Sequence, residues 1–277
     1  IQDRHSVGKL GLMAELRNAL NKNKLELFYQ PKRCVVTNEI HSAEALLRWN
    51  HPEHGFIPPE EIIALAEQTG FIHDVTVWVL ESAIKQASLW IKKGIKLNIA
   101  VNLSAHNLQD EKIVKHVRAL LAESGFSPKY LTLEITENAM MADPEHAVKL
   151  LSHLSAMGIR LAVDDFGTGF SSLGYLKRLP VNELKIDKSF VMDMVKNDND
   201  AVIVRSTIDL AHNLGLKVVA EGVEDNDTMD LLKILRCDTA QGYLISKPVP
   251  AKDFEKWLKN TNSQTKVAHH PSSRNIS

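Results

Sequence analysis

The sequence predicts an α/β protein: a parallel sheet with helical crossovers, carrying a rim of polar residues at one end of its strands. Two observations lead there. Short β-rich runs alternate with amphipathic helical stretches along nearly the whole chain. A single polar or acidic residue interrupts the end of almost every such run, at separations of 20 to 36 residues, each about one strand-helix unit.

Apolar residues at mostly helical spacing from Lys9 to Lys22 predict a lead-in helix or linker over residues 1–22. The strand-like runs are Leu25 to Tyr29, Lys96 to Val101, Tyr130 to Ile135, Arg160 to Val163, Glu183 to Ile186, Lys217 to Ala220 and Thr239 to Leu244. Helical patterns cover Pro59 to Gln68, His73 to Lys93, Leu108 to Glu123, Pro144 to Met157, Ala201 to Leu214 and Thr228 to Leu235. Gly94, Gly125, Gly158 and Gly215 follow four of them, where a left-handed cap favours glycine. Ser42 to Arg48 has helical propensity, and only its place among the rim acids argues for a strand. Residues 261–277, rich in Ser, Asn and Thr, are expected to form a disordered tail, leaving 23–260 as the folded domain.

Composition removes several classes of function. The 277 residues carry 44% hydrophobic and 24% charged residues, close to globular averages, which excludes collagen-like and disordered chains. A net charge of -1 offers no field for polymeric nucleic acid or an anionic membrane. Cys34 and Cys237 form no zinc or disulfide spacing. No apolar run reaches the ~20 residues of a membrane span, and no leader pattern opens the sequence, so a cytoplasmic location is expected. Because residue 1 is not Met, a sensory or cyclase-like domain is expected ahead of this one. Any anchor to the inner face of the cell membrane would belong to that preceding part.

The rim residues are Glu44, Asn102, Glu134, Asp164, Asp165, Lys185, Asp187, Glu221 and Gln241. In a closed α/β barrel such a rim is the C-terminal face of the strands, where active sites lie. Carboxylates converging there repel by about 4 kcal/mol per pair at 4 Å and an effective dielectric near 20, so cations are the economical answer. All-oxygen ligands with one Asn and no Cys suit Mg²⁺ or Mn²⁺. Asp164 and Asp165 precede the turn Phe166-Gly167-Thr168-Gly169; both can serve one metal centre only if the strand ends between them, and the glycines make that bend feasible. Lys185 is either a buried counter-ion or a group that orients water or phosphate, and Arg48 can clamp a phosphate. His51-Pro52-Glu53-His54 lies in a Pro-bearing turn and reads as structural, and Ser104 as a helix cap.

Together these residues resemble the EAL domain family, bacterial phosphodiesterases specific for cyclic di-GMP. The resemblance runs from about Leu16 to Leu258 and rests on Tyr29-Gln30-Pro31, Glu44-Ala45-Leu46-Leu47-Arg48-Trp49, Asn102-Leu103-Ser104, Glu134-Ile135-Thr136-Glu137, Asp164-Asp165-Phe166-Gly167-Thr168-Gly169, Leu184-Lys185-Ile186-Asp187, Ala220-Glu221-Gly222-Val223-Glu224 and Gln241-Gly242-Tyr243. It implies a TIM-like (β/α)8 barrel with the first strand antiparallel, and a homodimer in many members. It implies hydrolysis of c-di-GMP to linear pGpG with two Mg²⁺ or Mn²⁺ ions per site. Glu44, Asn102, Glu134 and Asp164 would ligate one ion, and Asp164, Asp165 and Glu221 the second. Lys185 would hold the attacking water, Glu221 would act as general base, and Gln241 would support the water and neighbouring ligands.

By the same resemblance Gln30, Leu46, Leu47, Arg48, Asp187, Glu224 and Tyr243 would contact substrate, while Glu137, Gly167 and Gly169 would steady the loop from Phe166 to Ser172. Phe170 stands where Tyr is usual, and Arg236 where Gly often precedes Cys-Asp; neither is a metal ligand. The competing readings are a catalytically silent c-di-GMP receptor or scaffold, and another metal-dependent barrel enzyme acting on sugars or enolates. The latter would not explain Arg48 and the double-aspartate loop together.

Overall fold

The computed structural model describes residues 2–22, 24–169 and 173–268, with the side chains of 11–22, 24–169 and 173–261. Among them run ten strands: β1 (Leu25–Cys34), β2 (Ile40–His51), β3 (Gly55–Ile57), β4 (Asn98–Leu103), β5 (Leu131–Thr136), β6 (Arg160–Phe166), β7 (Glu183–Ile186), β8 (Lys217–Ala220), β9 (Thr239–Ala240) and β10 (Val249–Pro250). Neighbours from β4 to β9 pair in parallel, and β2 pairs in parallel with β4. β1 closes the ring, antiparallel to both β2 and β9. The result is an eight-stranded α/β barrel with a reversed first strand, edged by β3 and β10.

Strand alternation gives the barrel a polar interior. Leu131, Leu133 and Ile135 of β5 point outward beneath the helices and are fully buried, while Thr132 and Glu134 point in. Outside, the helices Ile72–Lys92 and Ala251–Ala268 are locked to β1 by an aromatic group. The Trp90 ring lies edge-on to Tyr29 at 4.8 Å and stacks on Phe254 at 5.0 Å. No helix among the described residues is long and apolar enough to cross a membrane.

The Ser42 to Arg48 run is strand, because Ala43, Ala45 and Leu47 alternate with Glu44 between two barrel neighbours and burial overrides propensity. The four cap glycines all have positive φ, from 63° to 88°. Arg236 takes a left-handed backbone at φ 61° although it is not glycine.

Three expectations are corrected. The helix Ala251–Ala268 runs through the first part of the predicted tail: Phe254 and Leu258 anchor it, and extending a nucleated helix costs little per residue. Residues 269–277, including His269 and His270, lie outside the described residues. The expected helix from Leu108 is split into a 3-10 turn, Ala105–Gln109, and a helix, Lys112–Ser124. Ser104 holds the N-cap position of that turn, and its N–H donates to Asn107 Oδ1 at 3.1 Å.

The last barrel strand stops at Ala240 rather than Leu244, because the chain folds against the loop after β8. Val223 donates its N–H to the Gln241 carbonyl at 3.1 Å and accepts from Leu244 N at 3.0 Å. Gly242 is required there, since a Cβ would lie 2.1 Å from the Val223 carbonyl oxygen. Gly242→Ala is therefore expected to cost about 3 kcal/mol or more, read as a fall in chemical-denaturation midpoint.

Candidate active site

Gln30 and Glu44 sit directly opposite each other in the β1–β2 register. Glu44 is 5% exposed; its Oε1 accepts Asn102 Nδ2 at 2.7 Å and its Oε2 accepts Gln241 Nε2 at 2.6 Å. Gln241 also donates to Gln30 Oε1 at 3.1 Å, so residues from β1, β2, β4 and the segment after β9 form one hydrogen-bonded row. Lys185, on β7, occupies the centre. Its Nζ lies 2.7 Å from Glu134, 2.9 Å from Asp164, 2.8 Å from Glu221 and 3.8 Å from Glu44.

The two aspartates reach the same place by a bulge. Pairing of β6 with β7 slips between Val163 and Phe166, and Asp165 takes a left-handed backbone at φ 53°. The bend is made at Asp165 itself, not by the glycines, and Phe166 remains in the strand. Oxygens of Asp164, Asp165 and Glu221 consequently lie within 4.8 Å of one another, a group able to hold a metal ion.

Five carboxylates, Glu44, Glu134, Asp164, Asp165 and Glu221, face two buried ammonium groups, Lys185 and Lys32. The imbalance shows in the acidities. Burial raises Glu134, but Lys185 and Lys32 overcome it and hold the carboxyl down at about 2. Burial pushes Glu221 up to about 8, with Asp164 and Glu44 adding to the rise against Lys185. Burial likewise raises Glu44, and burial plus Asp164 raises Asp165. Such a crowd of oxygen donors suits a hard divalent cation.

Glu137 Oε2 accepts the Gly167 N–H at 3.0 Å, and a Cβ on Gly169 would come within 2.7 Å of Glu137 Oε1, so the turn after β6 wraps this carboxylate. Arg48 is half-buried, donates to the Leu47 carbonyl at 2.8 Å and spreads over the rings of Phe28 and Phe56. Two cavities of about 480 Å³ each share Leu46: one holds Gln30, Glu44, Glu221, Glu224 and Tyr243, the other Leu47, Asn102, Asp164 and Asp165.

Asp187 lies beyond the end of β7, and its Oδ1 caps the following turn by accepting the Ser189 N–H at 2.9 Å.

The EAL domain profile matches residues 13–248 of this sequence. The chain belongs to the EAL domain family. This EAL domain is 44% identical over 247 residues to the bifunctional diguanylate cyclase/cyclic di-GMP phosphodiesterase MucR of Pseudomonas aeruginosa, covering 89% of this chain and 36% of MucR. It is 42% identical over 252 residues to the cyclic di-GMP phosphodiesterase NbdA of the same organism, covering 91% and 32%. The chain thus spans about a third of the length of these curated relatives. Among solved structures, the PaMucR phosphodiesterase in its c-di-GMP complex superposes with a TM-score of 0.85 at 44% identity, covering 88% of this chain and 99% of that one. The FimX EAL domain of Pseudomonas aeruginosa bound to c-di-GMP gives 0.79 at 25% identity, covering 85% and 95%.

The sequence reading overlooked Lys32. It follows Gln30 by two residues on β1 and so shares its inward face, and it is 1% exposed against Glu134. The His51-Pro52-Glu53-His54 turn is a different matter. His51 Nδ1 accepts the Glu53 and His54 N–H groups at 3.1 and 3.2 Å, so the proton sits on Nε2, which donates to Glu15 at 2.8 Å. Its Nε2 therefore has no lone pair free for a metal, although Glu15, His51 and His54 lie close together.

Proposed function

We propose that this EAL domain hydrolyses c-di-GMP to linear pGpG with divalent cations, Mg²⁺ or Mn²⁺, lowering a bacterial second messenger. The observation that carries the reading is the convergence of Glu44, Glu134, Asp164, Asp165 and Glu221 around Lys185, with Glu44, Glu221, Asp164 and Asp165 lining cavities on either side of Leu46. The names of the relatives support the same substrate.

Glu44, Asn102, Glu134 and Asp164 would hold one ion, and Asp164, Asp165 and Glu221 a second. Bound there, the ions would neutralise charge on the phosphoryl and leaving 3′ oxygens. The Lys185 ammonium would orient the attacking water and Glu221, 2.8 Å from the ammonium, would accept the water's proton as its oxygen bonds to phosphorus and the bond to the 3′ oxygen breaks, that oxygen taking a proton from solvent to leave as the 3′ hydroxyl. Gln241, bridging Glu44 and Gln30, would keep ligand and substrate contact in register. Gln30, Arg48, Glu224, Tyr243 and the backbone at Leu46 and Leu47 would hold the nucleotide, with Asp187 beside them. Glu137 would tie the double-aspartate turn to the site through Gly167 and Gly169.

The greater length of the relatives supports an attached sensory or cyclase-like domain, and a dimer belongs to the same proposal. A second messenger as substrate would put the reaction in the cytoplasm.

Chromatography of nucleotide products tests the reading. Conversion of c-di-GMP to pGpG is expected with Mg²⁺ or Mn²⁺, to vanish in EDTA, and to fall by about 10²-fold or more in Glu44→Ala. Tight binding without turnover in either ion would instead make this chain a silent receptor or scaffold.

A further inference from the structure

Lys32 is among the largest fully buried side chains of the described residues, and no step above uses it. Its position follows from the reversal of β1. Gln30 lies level with Glu44 and Lys32 level with Ser42; β2 climbs toward the rim, so each step forward along β1 goes deeper into the barrel. Lys32 Nζ therefore meets Glu134 from below, on Oε1, while Lys185 meets Oε2 at 2.7 Å from above. Glu183 lies 3.8 Å from Lys32 and is itself within 3.9 Å of Arg160, so this second acid is shared with the base of the barrel.

We infer that Lys32 is a positioning residue: an internal counter-ion that holds Glu134 in place beneath the acid cluster and does so at the expense of divalent-ion affinity. Glu134 is 0% exposed, so water does not stabilise its charge, and Lys185 is divided among four carboxylates. A fixed positive charge on the far side of Glu134 fills that deficit when no cation is bound. The same charge repels a divalent cation placed on the near side. Lys32 thus makes the site stand without metal and keeps the metal exchangeable. The inference rests on the proposed cation binding at Glu134, Glu44, Asn102 and Asp164.

Calorimetric titration of the EDTA-stripped and dialysed protein with MnCl₂, together with thermal melts in EDTA and in saturating Mn²⁺, tests it on the wild type, Lys32→Met and Lys32→Arg. Lys32→Met is expected to bind Mn²⁺ at least tenfold more tightly. It should melt several degrees lower in EDTA and regain most of that loss in Mn²⁺, while Lys32→Arg stays near the wild type. A merely space-filling lysine would lower both melts equally and leave Mn²⁺ affinity alone, and that result, or weaker binding by folded Lys32→Met, overturns the inference. Should Lys32→Met yield no folded protein, Lys32→Gln is held to the same criteria. A wild type that binds no Mn²⁺ would refute the proposed metal site itself, an outcome distinct from failure of the Lys32 role.

Discussion

Glu221→Ala is expected to lower turnover of c-di-GMP by about 10³-fold while leaving the protein folded. Glu221 lies beside Lys185, at 2.8 Å, and within one oxygen cluster with Asp164 and Asp165, so its removal strips a proposed cation ligand and the proposed proton acceptor together. Its side chain is 18% exposed, the most open of the four carboxylates paired with Lys185, and burial pushes its pKa up to about 8. A carboxylate so disfavoured in the metal-free protein contributes little to holding the fold. Thermal melts in EDTA should therefore be unchanged or raised, and a variant that lost both activity and stability would mean that Glu221 is chiefly structural.

Lys185→Met is expected to do the reverse in EDTA. The ammonium is 1% exposed and sits within 3 Å of Glu134, Asp164 and Glu221. Methionine fills much the same volume but leaves those acids facing one another, with only Lys32 still in contact with Glu134. Breaking a buried ionic contact by removing one partner costs about 3–5 kcal/mol, and that loss should appear in urea denaturation of the stripped protein. Saturating Mn²⁺ should restore part of it by supplying positive charge at the same acids. Turnover should stay lost even where stability returns, because no group then orients the water. Restored turnover in Mn²⁺ would reduce Lys185 to a counter-ion.

Much of this site is legible from residue order, for a physical reason. A barrel of strand-helix units brings the same end of each strand to one mouth, so acids at unit spacing must meet, and Glu44, Glu134, Asp164 and Glu221 all reach Lys185. The direction of β1 is not written in period or composition, because a strand's pattern reads alike forwards and backwards; it entered only through family resemblance. Lys32 was missed for that reason: on a forward strand a residue two places after Gln30 would rise toward solvent. The bulge at Asp165 escaped for another. Positive φ at an aspartate is decided by how β6 meets β7, and the neighbouring glycines drew the bend to themselves.

The reversed first strand also sets a timetable. β1 finds one neighbour at once, through the hairpin that pairs Gln30 with Glu44, but its other edge waits for Thr239 and Ala240, some two hundred residues later in synthesis. Until the ribosome releases that short segment the ring is a horseshoe, with the lysine and glutamate at its heart still hydrated. A nascent chain truncated ahead of residue 239 should thus be open to proteases along β1, whose second edge is covered only once Thr239 and Ala240, and then Val249 and Pro250, have paired with it.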